Sequence, residues 1–169
     1  MSWIQTYSGK KFYPLNPNVS DIVIEDIIHS LSMKCRFGGH CKCFYSVAQH
    51  SIIMADNVPK EHQLVALLHD ATEAYLPDVC RPIKSSLTGF EEIERQLYLA
   101  IAEKFGLPNE IPKCVKEADD RALITEKRDI MSSSPDIWSV YAEPFEDRIS
   151  CWDCNSAKLK FELYLRKFL

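Results

Sequence analysis

The chain has 169 residues, a formal charge of −4, 46% apolar and 26% charged residues, which suits one compact domain, residues 1–169, with a real core. That balance lacks the basic face a duplex nucleic-acid binder uses, although a few cations in one pocket can still hold a small anion. No apolar run approaches the ~20 residues that span a bilayer, and MSWIQTYSGKKF lacks the apolar core of a signal peptide.

The expected location is therefore the cytoplasm, without membrane contact. Seven cysteines, an odd number, with no export signal point to reduced thiols.

Residues 1–20, with Pro14 and Pro17, read as an extended or turn-forming lead-in. Asp21 is placed to cap a helix carrying Ile24, Ile27, Ile28 and Leu31 at three- and four-residue spacing, which ends before Gly38-Gly39. A second helix is expected from Ser46 to about Asn57. A third starts at Lys60 or Glu61, where Leu64, Val65, Leu67 and Leu68 give the broad apolar face of a central element.

Residues 76–89, with Pro77, Pro82 and Gly89, read as a loop. Phe90–Phe105 is strongly amphipathic and stops at Gly106. A fifth helix runs from near Pro112 to about Met131, residues 132–152 are irregular, and Ser156–Phe168 forms a final helix. Strand alternation with hairpin turns is missing throughout, so the fold class is all-α, a compact bundle of about five to seven helices.

The chemistry concentrates in LLHDATEAYLPDVCRPIK, residues 67–84. A His-Asp pair closing an apolar helix is costly to bury unpartnered, and a divalent ion resolves that cost. His69 offers an imidazole nitrogen and Asp70 a carboxylate oxygen, a mixture suited to Mn, Fe, Co, Zn or Ni rather than calcium. Glu73, four residues after His69, falls near the pair at helical spacing and can move a proton or orient water.

Two adjacent residues cannot complete a coordination sphere. His50, on the preceding helix, is the best second imidazole, because a short connection makes the two helices neighbours. Asp119 or Asp120 on the later helix can supply the last carboxylate.

The order His50 … His69-Asp70 … Asp119 resembles the HD-domain phosphohydrolases. The fuller run HDA-x-E-x4-D-x3-P-x-K looks like the bacterial 5′-deoxynucleotidases and phage dATP triphosphohydrolases, and Arg36-Phe37 resembles their Arg-aromatic pair. The GKKFYPLNP lead-in and the RFGGH segment are similar to phage-borne members, whose location would be the host cytoplasm.

The resemblance implies an HD-type helical bundle in which His50, His69, Asp70 and Asp119 hold one divalent transition metal (Co, Mn, Zn, Fe or Ni). Asp119 is preferred to Asp120 because the family ligand follows an alanine, here Ala118. Glu73 becomes the catalytic acid or base, with Asp70 also at the reacting centre. Asp78 and Lys84 flank phosphate and sugar, Arg36 neutralises phosphate, and Phe37 lies against base or sugar, where the family more usually has tryptophan.

The implied reaction is hydrolysis of deoxynucleotide phosphate bonds by attack of an activated water on phosphorus. The principal reading is a 5′-deoxynucleotidase acting on deoxynucleoside monophosphates. The alternative is a dATP or dNTP triphosphohydrolase, with additional Mg. A homo-oligomer, dimer or hexamer, is also implied.

The cysteines carry a competing reading. Cys35, His40, Cys41 and Cys43 are a possible zinc cluster and Cys151 with Cys154 a half-site, in a non-catalytic nucleotide- or zinc-binding module. Their spacing lacks the two clear pairs of a structural zinc site, so packed thiols are expected. Trp138 and Trp152 are expected to anchor the irregular segment by burial.

Overall fold

The computed structural model describes residues 2–169, and it is all-α apart from one small hairpin. Seven α-helices follow one another: α1 (Ile24–Met33), α2 (Val47–Asp56), α3 (Gln63–Leu68), α4 (Arg81–Lys84), α5 (Phe90–Phe105), α6 (Lys113–Ile130) and α7 (Cys154–Leu165).

The lead-in is more ordered than its composition suggested. Strands β1 (Ile4–Gln5) and β2 (Lys11–Phe12) pair antiparallel, Ile4 opposite Phe12. The turn between them closes through Gly9, whose φ of 80° suits glycine. Ser8 N donates to Asp26 Oδ1 at 2.6 Å and Ser8 Oγ to Oδ2 at 3.0 Å, so a buried carboxylate on α1 fastens the hairpin. These contacts are long-range, which is why periodicity does not reveal them.

Asp21 does not cap α1. It ends a separate 3-10 turn, Val19–Asp21, and the helix starts after Val23 without a side-chain cap. Ser46 does cap α2, accepting from Gln49 N. A 3-10 turn at Lys60–His62 leads into α3.

The expected 76–89 loop contains the four-residue helix α4, with Pro82 in its first turn, where a missing N–H costs nothing. The amphipathic α5 has the expected bounds and ends at Gly106 in the left-handed region, φ 66°. The final helix begins two residues early because Asp153 accepts from Ser156 N at 2.9 Å.

The centre of the bundle is α2 rather than α3. It packs against α1, α3, α6 and α7, and eight of its residues, from Val47 to Ala55, are buried. Around it lie Leu31, Met54, Leu67, Leu97, Ile101 and Phe161. The inward face of α6 is small where it crosses, with Ala118 and Ala122 both buried. This allows the close approach that brings acidic groups on α6 to α2.

The irregular 132–152 segment is held by polar contacts. Asp129 accepts from Arg128, Arg148 and Ile149 N. Gln49 Nε2 donates to Ser150 O at 2.8 Å, and Gln49 Oε1 accepts from Trp152 N at 3.0 Å. The thiol expectation is corrected at one pair: Cys43 and Cys151, 108 residues apart, are joined as a disulfide. Sequence distance hid their approach.

Candidate metal centre and its cavity

Three elements deliver the site. Ser46 fixes the start of α2 and so places His50 in its first turns. His69 caps the C-terminus of α3, and Asp70 opens the 3-10 turn Ala71–Ala74. Asp119 comes from α6.

The donor atoms converge. His50 Nε2 and His69 Nε2 stand 3.4 Å apart, and His50 Nε2 is 3.4 Å from Asp119 Oδ1. Asp70 Oδ2 lies 3.1 Å from His69 Nε2 and 3.7 Å from His50 Nε2. Ligands held at ~2.1 Å around one ion stand roughly 3–3.5 Å from each other, so this spacing matches a shared cation. Among the described residues, His50, His69 and Asp119 form the one group of three His, Cys, Asp or Glu ligands close enough to do so.

The imidazoles are also aimed. His50 Nδ1 is 2.7 Å from Glu126 Oε1, and His69 Nδ1 is 2.7 Å from Ala66 O. Each Nδ1–H is thereby committed to an outside acceptor, which leaves both Nε2 lone pairs for a metal. The donor set, its spacing and these supports fit a metal ion.

Electrostatics fit as well. Burial disfavours the His69 imidazolium, but Asp70 and Asp119 outweigh it and raise the group to about 9. Burial works against the Asp70 and Asp119 carboxylates, yet the two histidines hold both well below the usual range. A divalent cation satisfies the same carboxylates in exchange for the imidazole protons.

Glu73 has the opposite character. Burial first, then Asp70 and Asp78, raise it well above an ordinary glutamate, and its buried Oε2 has no hydrogen-bond partner. It reaches this position through a 3-10 turn, not the helical continuation that its spacing suggested. Burial likewise raises Asp78.

Glu73 and Asp78 line a cavity of about 570 Å³, a size suited to a small-molecule ligand. Arg36, Phe37, Asp70, Glu73, Asp78, Lys84 and Asp119 all face it. Arg36 is nearly buried: Nη1 donates to Asp70 at 3.5 Å and Nη2 to Glu126 at 3.2 Å, while its buried Nε has no partner. Lys84 is paired with Glu94 and lies over the Phe90 ring. Phe37 is held at φ 56°, a strained conformation for an aromatic residue that costs ~1–3 kcal/mol.

Several site residues escaped the sequence reading. Glu126 is fully buried and accepts from His50, Arg36 and Tyr45. It lies seven residues, two turns, beyond Asp119, and that helical spacing was its available signal. Arg81 Nη2 donates to Asp119 at 2.7 Å and Nη1 to Asp120 at 3.0 Å. Asp120 is thus tied to Arg81, and Asp119 is the one that reaches the histidines.

Trp138 does not anchor the irregular segment by deep burial; it is half-buried and lines the cavity. Among the described residues the cysteines form no zinc cluster: Cys41 meets Cys35 and donates to Arg36 O at 3.5 Å, Cys43 pairs with Cys151, and His40 is exposed. No described helix is long and apolar enough to cross a membrane.

No family model matches the chain. Over 140 residues it is 46% identical to the uncharacterized protein YfdR of Escherichia coli K12, covering 83% of this chain and 79% of that one. Over 127 residues it is 35% identical to an uncharacterized protein of Rhodobacter capsulatus, covering 69% of this chain and 65% of the relative. The chain belongs to the family of YfdR.

Proposed function

We propose that this chain is an HD-type, metal-dependent phosphohydrolase acting on deoxynucleotides, principally as a 5′-deoxynucleotidase. The observation that carries the reading is the convergence of His50, His69, Asp70 and Asp119 at the edge of a cavity that also presents Glu73 and cations.

His50, His69, Asp70 and Asp119 would hold one divalent ion, which supplies Lewis acidity toward a phosphoryl oxygen and the attacking water. Glu126 and the Ala66 carbonyl keep the imidazoles turned inward. Arg36 and Arg81 would place positive charge against the negative charge on the phosphoryl oxygens. Glu73, kept protonated by burial, gives its proton to the departing oxygen of the deoxynucleoside.

A second reading is dATP or dNTP triphosphohydrolase activity, with additional Mg. The observation in its favour is that three cations, Arg36, Arg81 and Lys84, line one cavity, more than a single phosphate requires.

The test incubates the protein with each dNMP and dNTP plus Co, Mn, Zn, Fe, Ni or Mg, and identifies products by mass. Nucleoside and phosphate support the nucleotidase; tripolyphosphate selects the second reading. Nucleotide binding without turnover under every ion would leave a sensor module and reject both. Sedimentation of the same sample tests the homo-oligomer, dimer or hexamer, that accompanies the proposal.

A further inference from the structure

The cavity lining combines two chemistries. One set of lining residues is charged, namely Asp70, Glu73, Asp119 and the cations. Another is apolar, Phe37, Leu123, Ile137, Trp138 and Val140, side chains from three separate segments. Four of the five lie beyond residue 120, outside the His-Asp run that carries the chemistry.

Within the apolar set the two aromatic rings meet. Phe37 and Trp138 have centroids 6.1 Å apart and planes inclined by 45°, within the range of a favourable aromatic pair. Lys127 Nζ stands 5.0 Å from the Trp138 centroid, a cation–π contact that steadies the indole. Phe37 directly follows Arg36, whose guanidinium touches Asp70, so the aromatic pair borders the charged set. Phe37 keeps its place at the cost of a positive φ, and Ile137, next to Trp138 in the chain, is 85% exposed.

We infer that Trp138, paired with Phe37, is the stacking platform for the aromatic base of the substrate. Trp138 is therefore a specificity-determining residue, and the preferred ligand is a phosphate ester carrying a planar aromatic group. This rests on the phosphohydrolase reading for the phosphate end. The aromatic end is argued independently, from the apolar lining itself. Stacking is tolerant of base identity because every base offers a π-face, so the platform selects nucleotides over sugar phosphates without choosing strongly among bases.

The experiment uses the full chain, with calorimetry and tryptophan fluorescence, and two probes: deoxyadenosine monophosphate and deoxyribose 5-phosphate. The wild type is expected to bind the nucleotide more tightly and to show quenching with it alone. Trp138→Ala should weaken nucleotide binding about tenfold or more and leave deoxyribose 5-phosphate unchanged. Trp138→Phe should restore most of the affinity while abolishing the quench, which assigns the signal to Trp138 rather than Trp3 or Trp152.

Equal weakening of both probes by Trp138→Ala, or no rescue by phenylalanine, would make Trp138 a structural wall and overturn the inference. Hydrolysis of nucleotides with an unaltered KM in Trp138→Ala would reject the platform while sparing the hydrolase. Absence of binding to both probes under all divalent ions would reject both.

Discussion

His50 Nδ1 and Glu126 Oε1 stand 2.7 Å apart, and neither side chain is exposed to solvent. Glu126 also receives Arg36 and Tyr45, so one carboxylate neutralises a buried cation and orients an imidazole. Glu126→Ala strands Arg36 and His50 and is expected to cost about 3–5 kcal/mol in denaturant unfolding. Glu126→Gln keeps the shape but weakens the orienting acceptor. Its metal affinity is expected to fall about 10–100-fold, and a change below twofold would deny Glu126 the orienting role.

Asp119 and Asp120 give a sharper contrast, because Arg81 touches both and only Asp119 reaches His50. Asp119→Asn is expected to abolish tight binding of a divalent transition metal, whereas Asp120→Asn should leave it within a few-fold. Calorimetric titration of both variants decides this. Combined His69→Ala and Asp70→Ala should likewise remove the metal, and metal retained there would point to a different site.

A metal bound at His69 would compete with protons there. Its folded value is raised to about 9, above the ordinary 6.5. The resulting stabilisation is fully present below 6.5 and is lost as pH rises through about 9. Apo protein should therefore melt at progressively lower temperature between pH 7 and 9.5. Saturating divalent ion should reverse that trend, because binding becomes tighter as the proton leaves. Titration in two buffers of different ionisation enthalpy should register proton release on metal uptake near pH 7.

Glu73 sits on the opposite limb. A carboxyl raised by burial and by Asp70 and Asp78 stays protonated beyond the usual glutamate range. As the proposed proton donor it would support turnover at lower pH, and kcat should decline as pH rises through its elevated value. Glu73→Gln cannot donate a proton and is expected to lower kcat about 10²–10⁴-fold with a smaller change in KM. Retention of wild-type kcat would exclude proton donation by Glu73.

Asp129 supports the wall rather than the chemistry. Its carboxylate, nearly buried at 4% side-chain exposure, is held below the usual range by Arg128, Ile149 N and Arg148. That contribution is present above the ordinary value of 3.8 and is lost as pH falls through the lowered folded value. Asp129→Ala should leave helical circular dichroism nearly unchanged while increasing protease cleavage between residues 132 and 150. Cleavage rates equal to wild type would show that Gln49 and the disulfide suffice to hold the segment.

The helices were legible where burial imposes a helical period. The amphipathic stripe of residues 90–105 and the glycine after it gave α5 its bounds, and Ser46 marked the start of α2, since period and caps are local properties of the chain. His50, His69 and Asp70 could be posed from residue types, because a buried imidazole and carboxylate demand a partner, whereas Asp119 was chosen over Asp120 by the resemblance to the HD-domain order H…HD…D.

What the chain order could not supply was distance. Glu126 meets His50 from two turns beyond Asp119, Trp138 lines the cavity from the irregular segment, and Cys43 meets Cys151 across 108 residues. Asp26 binds a hairpin that no alternation announced. These contacts join segments distant in the chain, so they depend on how the elements pack. A linear pattern records which face of a helix seeks burial, whereas packing alone decides what that face meets.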